Sequence, residues 1–190
     1  MSIDHHLDAA TIIAYTAGTL DEAFSVVAAS HLSWCPTCRE TARQAAQLGG
    51  ELLGRLEGAA VSQKCRAQTL SLIDTATLHR FPNSPPSRGE VPHPLARLLG
   101  GAALADLKWK RKAPGLALFD LPLSAASHGR LFLMRIAPGK AMPEHGHGGE
   151  EITLVLKGAY RDHMGRFAAG DVADLDEEIE HQPVVEKDCD

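Results

Sequence analysis

Gly139-Lys-Ala-Met-Pro-Glu-His145-Gly-His147-Gly-Gly-Glu-Glu151-Ile-Thr-Leu-Val-Leu-Lys-Gly158 is the stretch whose reading decides the fold. Pro138 and Gly139 mark a turn, and the apolar run Ile152 to Lys157 beyond the paired glycines reads as a strand. His145 and His147 are two residues apart, so on extended backbone their side chains share a face. Glu151 opens the next strand, and His181 is expected from a later strand crossing the same interior. Three neutral imidazoles and one carboxylate form a ligand set for a divalent transition metal, and the ligand types alone suit zinc, iron, nickel, copper or manganese. Each ligating histidine also needs an acceptor for its second ring nitrogen. Glu144 and Glu150 are expected to face outward, and His79, His93, His128 and His163 to be isolated surface residues.

A second constellation lies near the other end. His31 and Cys35 are four apart, one helical turn, and Cys38 completes a Cys-x-x-Cys. A structural zinc site needs a fourth donor. His5 and His6 precede the first helix, and either could fold back. A thioredoxin-like redox pair would want a strand–helix setting, whereas this one sits between helices. Cys65 is expected to be a small buried residue and Cys189 a mobile thiol.

The first 80 residues read as helices. Asp8 caps a segment ending at Gly18, and Asp21-Glu22 opens a second with Phe24, Val27, Ala28 and His31 in helical spacing. Pro36 suits the first turn of a third helix running to Leu53. Ser62 can cap a fourth, with Leu70, Ile73 and Leu78 on one side. Residues 81–94 concentrate Pro, Ser and Gly and read as a linker. Beyond it Leu131 to Ile136 and Ile152 to Lys157 are strand-like, with Gly158, Gly165 and Gly170 as turns. The expected organisation is a helical domain (1–80), a linker (81–94) and a β domain (95–190).

Composition narrows the function. The chain has 190 residues, 44% hydrophobic and 23% charged, with a formal net charge of −5. Its longest basic run is Lys108-Trp-Lys-Arg-Lys112, expected on a solvated strand, so no clustered basic face predicts direct nucleic-acid contact. No stretch approaches the ~20 apolar residues of a membrane helix. With no basic n-region or apolar h-region at its start, and four cysteines, the chain is expected in the cytoplasm with thiols free for metal.

The Gly139–Gly158 spacing resembles the first motif of the cupin β-barrel. Phe167-Ala-Ala-Gly170-Asp171 supplies the turn of the second, without its usual proline and ten residues before His181. Together the two clusters resemble the ChrR-type zinc-dependent anti-sigma factors. At the amino end the likeness rests on Ile3-x-His5-His6, Ala14-Tyr-x-Ala-Gly-Thr-Leu20, Glu22-Ala-Phe-Ser25 and His31-Leu-Ser-x-Cys35-x-x-Cys38. Further on it rests on Pro143 to His147, Thr153-Leu-Val-Leu156, Gly158 to Asp162, Ala169-Gly-Asp171 and Glu180-His-x-Pro183. The resemblance implies a two-domain α+β protein: an all-α zinc-binding helical bundle followed by an antiparallel β-barrel of the cupin, double-stranded β-helix type.

It further implies zinc on His6, His31, Cys35 and Cys38, and zinc or another divalent transition metal on His145, His147, Glu151 and His181. The implied partner is a group IV (extracytoplasmic-function) sigma factor, kept from core RNA polymerase and released under oxidative stress such as singlet oxygen. Relatives run past the equivalent of Cys189 with strands that complete the barrel. This chain is therefore expected to show an open sheet edge suited to weak self-association. The alternative is an enzyme, a metal-dependent cupin dioxygenase with an accessory helical domain.

Overall fold

The computed structural model describes residues 2–75, 89–146 and 148–187. Four helices come first. In α1 (Ala9–Ala17) the Asp8 carboxylate accepts from the Ala10 N–H, and Gly18 closes the helix in a left-handed conformation. Asp21 caps α2 (Glu22–Trp34) through the Ala23 N–H. Cys35 ends α2 and caps α3 (Pro36–Gly54), with Pro36 in the first turn, where a missing N–H costs nothing. α4 (Gln63–Thr75) opens where the Ser62 hydroxyl accepts from the Cys65 N–H. These are the helices the patterning predicts. Leu78, expected on the same side as Ile73, lies outside the described residues, as do His79 and Cys189.

A fifth helix, α5 (His93–Leu98), has no counterpart in the sequence reading. It begins just after Pro92, with Pro94 in its first turn, and packs on α2. The strands follow, all paired antiparallel. β1 (Lys110–Ala113), β2 (Leu116–Asp120) and β3 (Phe132–Ile136) form one sheet in that order. β4 (His145–Gly146) pairs with β9 (Glu180–His181), and β5 (Glu151–Leu154) with β8 (Val172–Leu175). β6 (Ala159–Asp162) and β7 (Gly165–Ala168) form a hairpin, with β10 (Val184–Val185) along the other side of β6. Among the described residues these strands form four small sheets, a cupin-like antiparallel set that does not by itself show the expected closed barrel.

Two of the three hydrophobic clusters join helices to strands. Leu7, Ile12, Ala28, Leu32, Cys35 and Cys38 pack with Val172 of β8. Ala23 of α2 packs with Leu95, Leu99, Leu121, Leu131 and Leu133. The third, Val155, Phe167, Ala173 and Leu175, lies within the strands. Each fully buried leucine is worth ~1.5–3 kcal/mol, so α2 is held from both sides. The far end of α3 and all of α4 differ. Leu48, Leu52, Leu53, Leu56, Leu70, Leu72 and Ile73 are exposed, and no residue of α4 is buried. Cys65 is therefore exposed, against the expectation of burial, because among the described residues nothing covers α4. No single helix among the described residues is long and apolar enough to cross a membrane.

Candidate functional site

His6, His31, Cys35 and Cys38 converge, with one donor atom from each within 4.8 Å of all the others. Cys35 Sγ and His6 Nδ1 are 3.3 Å apart, Cys38 Sγ and His31 Nε2 3.3 Å, and Cys38 Sγ and His6 Nδ1 3.6 Å. Tetrahedral zinc, with bonds of ~2.3 Å to sulfur and ~2.0 Å to nitrogen, sets donor–donor edges of ~3.3–3.8 Å. The four side chains fit that ion. His31, Cys35 and Cys38 are buried, whereas His6 reaches in from an exposed strap before α1.

The surroundings prepare each donor. The His31 Nδ1–H donates to the Gly170 carbonyl at 3.0 Å, which leaves the Nε2 lone pair toward Cys38. Burial holds the imidazolium of His31 below its ordinary pKa, so the ring stays neutral as a ligand must. Burial pushes the Cys38 thiol up to about 11. Without a cation the thiol keeps its proton at neutral pH, and a bound metal is what would favour the thiolate. The Cys38 N–H donates to Cys35 Sγ at 3.4 Å.

The strap carrying His6 is tied to the strands. Asp171, 2% exposed, accepts from the N–H groups of Asp4 (2.7 Å), His5 (3.1 Å) and Ala168 (2.8 Å). Burial works against its charge, but the donors of Ala168, His5 and Asp4 outweigh it and hold the carboxyl below its usual range. Asp174 accepts from the Asp8 N–H at 2.9 Å. His5 is used differently from His6. Its ring stacks on Phe167 at 3.9 Å, and its Nε2–H donates to the Arg166 carbonyl. Only His6 of the adjacent pair is free to turn toward the thiols.

The second expected centre is gathered in part. Register places His145 opposite His181, with ring centroids 4.9 Å apart. The His145 Nδ1–H donates to the Pro143 carbonyl at 2.9 Å, and His181 Nδ1 meets Asp162 Oδ2 at 3.1 Å in a fully buried pair. His181 with Asp162 is the carboxylate–histidine arrangement of metal sites, and the Pro143 carbonyl orients His145 in the same way. Glu151 stands at the start of β5, opposite Leu175, and accepts from the Thr153 hydroxyl. His147 lies outside the described residues. Among the described residues only the amino-terminal group brings three or more such donors together. Burial, and then the carboxylates of Asp162 and Glu151, push the Tyr160 hydroxyl above its ordinary pKa. Sequence reasoning missed Gly170 O, Asp162 and Asp171, whose roles depend on contacts more than 15 residues away in the chain.

Residues 101–190 match the family described as the ChrR Cupin-like domain. Anti-sigma-E factor ChrR of Cereibacter sphaeroides is 39% identical over 193 aligned residues, covering 100% of this chain and 87% of the relative. The crystal structure described as Rhodobacter sphaeroides SigE in complex with the anti-sigma ChrR superposes with a TM-score of 0.82 at 39% identity. That match covers 99% of this chain and 95% of the other.

Proposed function

Because the chain belongs to the ChrR family of anti-sigma factors, we propose that it binds a group IV (extracytoplasmic-function) sigma factor and keeps it from core RNA polymerase. The observation that carries this reading is the bare apolar surface on α3 and α4. Leu48, Leu52 and Leu53 lie on α3 with Leu56 just past its end, and Leu72 and Ile73 are 68% and 63% exposed. Exposed apolar side chains gathered along a helix in this way mark a partner site, and amphipathic helices dock in grooves. The regulatory reading displaces the dioxygenase, since the full-length relative is named as an anti-sigma factor.

The helical region is a zinc-braced bundle in this reading, with His6, His31, Cys35 and Cys38 as ligands. Zinc or another divalent metal occupies the strand centre through His145, His147, Glu151 and His181. Zinc is redox-silent, so the thiolates are the oxidisable atoms of the first site. Cys35 and Cys38 are 1% and 2% exposed, which shields them from direct attack. An oxidative signal such as singlet oxygen is then received in the strand region and passed through Gly170 and Asp171 to the strap and His31.

The test is a titration of the purified, zinc-loaded chain against a cognate group IV sigma factor. Leu53→Ser with Leu72→Ser should weaken association by at least about tenfold with the free protein's melting temperature unchanged. Undiminished binding in that double variant would mean that these helices are not the clamp.

A further inference from the structure

The core-facing side of the β1–β2–β3 sheet ends in two arginines that the regulatory reading does not use. Across the sheet Arg111 pairs with Ala117, and Ala117 with Arg135. Paired residues share a face, and period two places Phe119 and Leu133 on that same face. Both belong to the cluster around Leu95 and Leu131, as does Trp109. The opposite face carries Lys110, Met134 and the Lys110–Asp120 ion pair. Arg111 and Arg135 therefore sit on the side of the sheet that elsewhere covers core.

What sets this pair apart is that both line one cavity with an indole. Lys110 and Arg130 are paired with Asp120, and Arg161 and Arg166 with Glu186. Among the described residues Arg111 and Arg135 have no carboxylate partner. The Arg135 guanidinium lies 5.0 Å from the centre of the Trp109 ring, and the Trp109 Nε1–H donates to the Leu104 carbonyl at 3.0 Å. The indole is thus fixed from behind and orients one cation. An open cavity of about 570 Å³ lies at this end of the sheet, lined by these groups with Ala117 and Pro138 and by Ile136 of the alternate face. Ala117 offers only a methyl group, so space remains between guanidinium stems that are two strand spacings apart, ~9.5 Å.

We propose that this cavity binds a small organic acid, its carboxylate held between Arg111 and Arg135 and its apolar body against Ala117 and Pro138. Guanidinium forks match a carboxylate's two oxygens. The rest of the lining is mainly apolar, which suits an organic acid better than inorganic phosphate. This inference stands apart from sigma binding, because α3 and α4 contribute nothing to the cavity.

The experiment is calorimetry and amide NMR on the full chain with benzoate and hexanoate, against benzamide and inorganic phosphate. Saturable binding of at least one carboxylate, with benzamide and phosphate inert, is expected. Arg135→Gln and Arg111→Gln should each weaken it about tenfold or more. Lys110→Gln, on the opposite face, should leave it unchanged. Failure of both carboxylates to saturate, equal binding of phosphate or benzamide, or equal loss in Lys110→Gln would each overturn the site. So would self-association of the arginine variants without any carboxylate binding, which would instead make these charges guards of the β1 edge.

Discussion

The two expected metal centres use histidine in different ways. At the amino-terminal one the donors come from a strap, from α2 and from the α2–α3 junction, and no hydrogen-bonded ladder sets their spacing. At the strand centre, His145 and His181 face each other because β4 and β9 are paired, and Pro143 and Asp162 orient the rings. The first arrangement crowds two thiols and two imidazoles into a mostly buried space, favourable once a cation compensates them. The second is kept by backbone pairing whether or not an ion is present. The difference predicts that an ion at the first site takes part in folding, whereas one at the second would be added to a fold that already stands.

Cys38→Ser against His145→Ala tests this contrast most severely. Structural zinc contributes folding energy directly, so Cys38→Ser should cost several kcal/mol, on the order of 10 °C in melting temperature. Zinc bound per chain should fall with it. His145→Ala, whose partner strand stays paired, should cost no more than about 1 kcal/mol. Thermal unfolding with parallel metal analysis checks both. Equal destabilisation would erase the distinction, and a stable Cys38→Ser protein would deny the cluster its folding role.

Asp171→Ala is the next largest. Three backbone N–H groups lose their acceptor, and orphaned buried donors cost ~1–3 kcal/mol each before water relieves some of them, so a net loss of ~2–4 kcal/mol is expected. Hydrogen exchange should accelerate at His5 and Ala168 together, since one carboxylate serves both. Acceleration at Ala168 alone would show that the strap holds without this carboxylate and that the two regions are less coupled than the contacts suggest.

What the sequence disclosed follows the range of the interactions involved. Asp8, Asp21 and Ser62 act on amides two or three residues away, so helix starts were readable from local chemistry. His145, Glu151 and the strand after them were readable because period two is local as well. The choice of His6 over His5 was open on the residues themselves. It is decided by Phe167 and the Arg166 carbonyl, 161 or more positions away, and before the structure only the family resemblance pointed to His6. α5 was hidden by its own prolines, Pro92 and Pro94, which look like linker but also suit a helix's first turn. The division of the described strands into four small sheets was not foreseeable, because motif spacing says which residues turn but not how the sheets join.

The smallest expected effect concerns a second tie between helices and strands, at the other end of α2. The Asp21 carboxylate caps that helix and also accepts from the Ser127 hydroxyl and the N–H groups of His128 and Gly129. Neighbouring Glu22 accepts from the Ser124 hydroxyl and N–H. The His128 N–H, then that of Ala23 and the Ser127 hydroxyl, lower the Asp21 pKa from 3.8 to about 2. A carboxyl whose pKa is lower folded than unfolded stabilises the fold fully above the unfolded value and loses that contribution as pH falls through the folded one. The stability difference between the natural chain and Asp21→Asn should therefore be constant above about pH 5 and shrink between pH 3.8 and about 2. Melting curves across that range, with the Asp21 carboxyl carbon followed by NMR, give the test. Gly129→Ala attacks the same tie sterically, because a Cβ there would stand 2.8 Å from both Asp21 Oδ1 and the Ala23 methyl. A difference independent of pH in Asp21→Asn, together with a harmless Gly129→Ala, would show that this end of α2 is held by the Ala23–Leu95 cluster and the Glu22–Ser124 contacts, without Asp21.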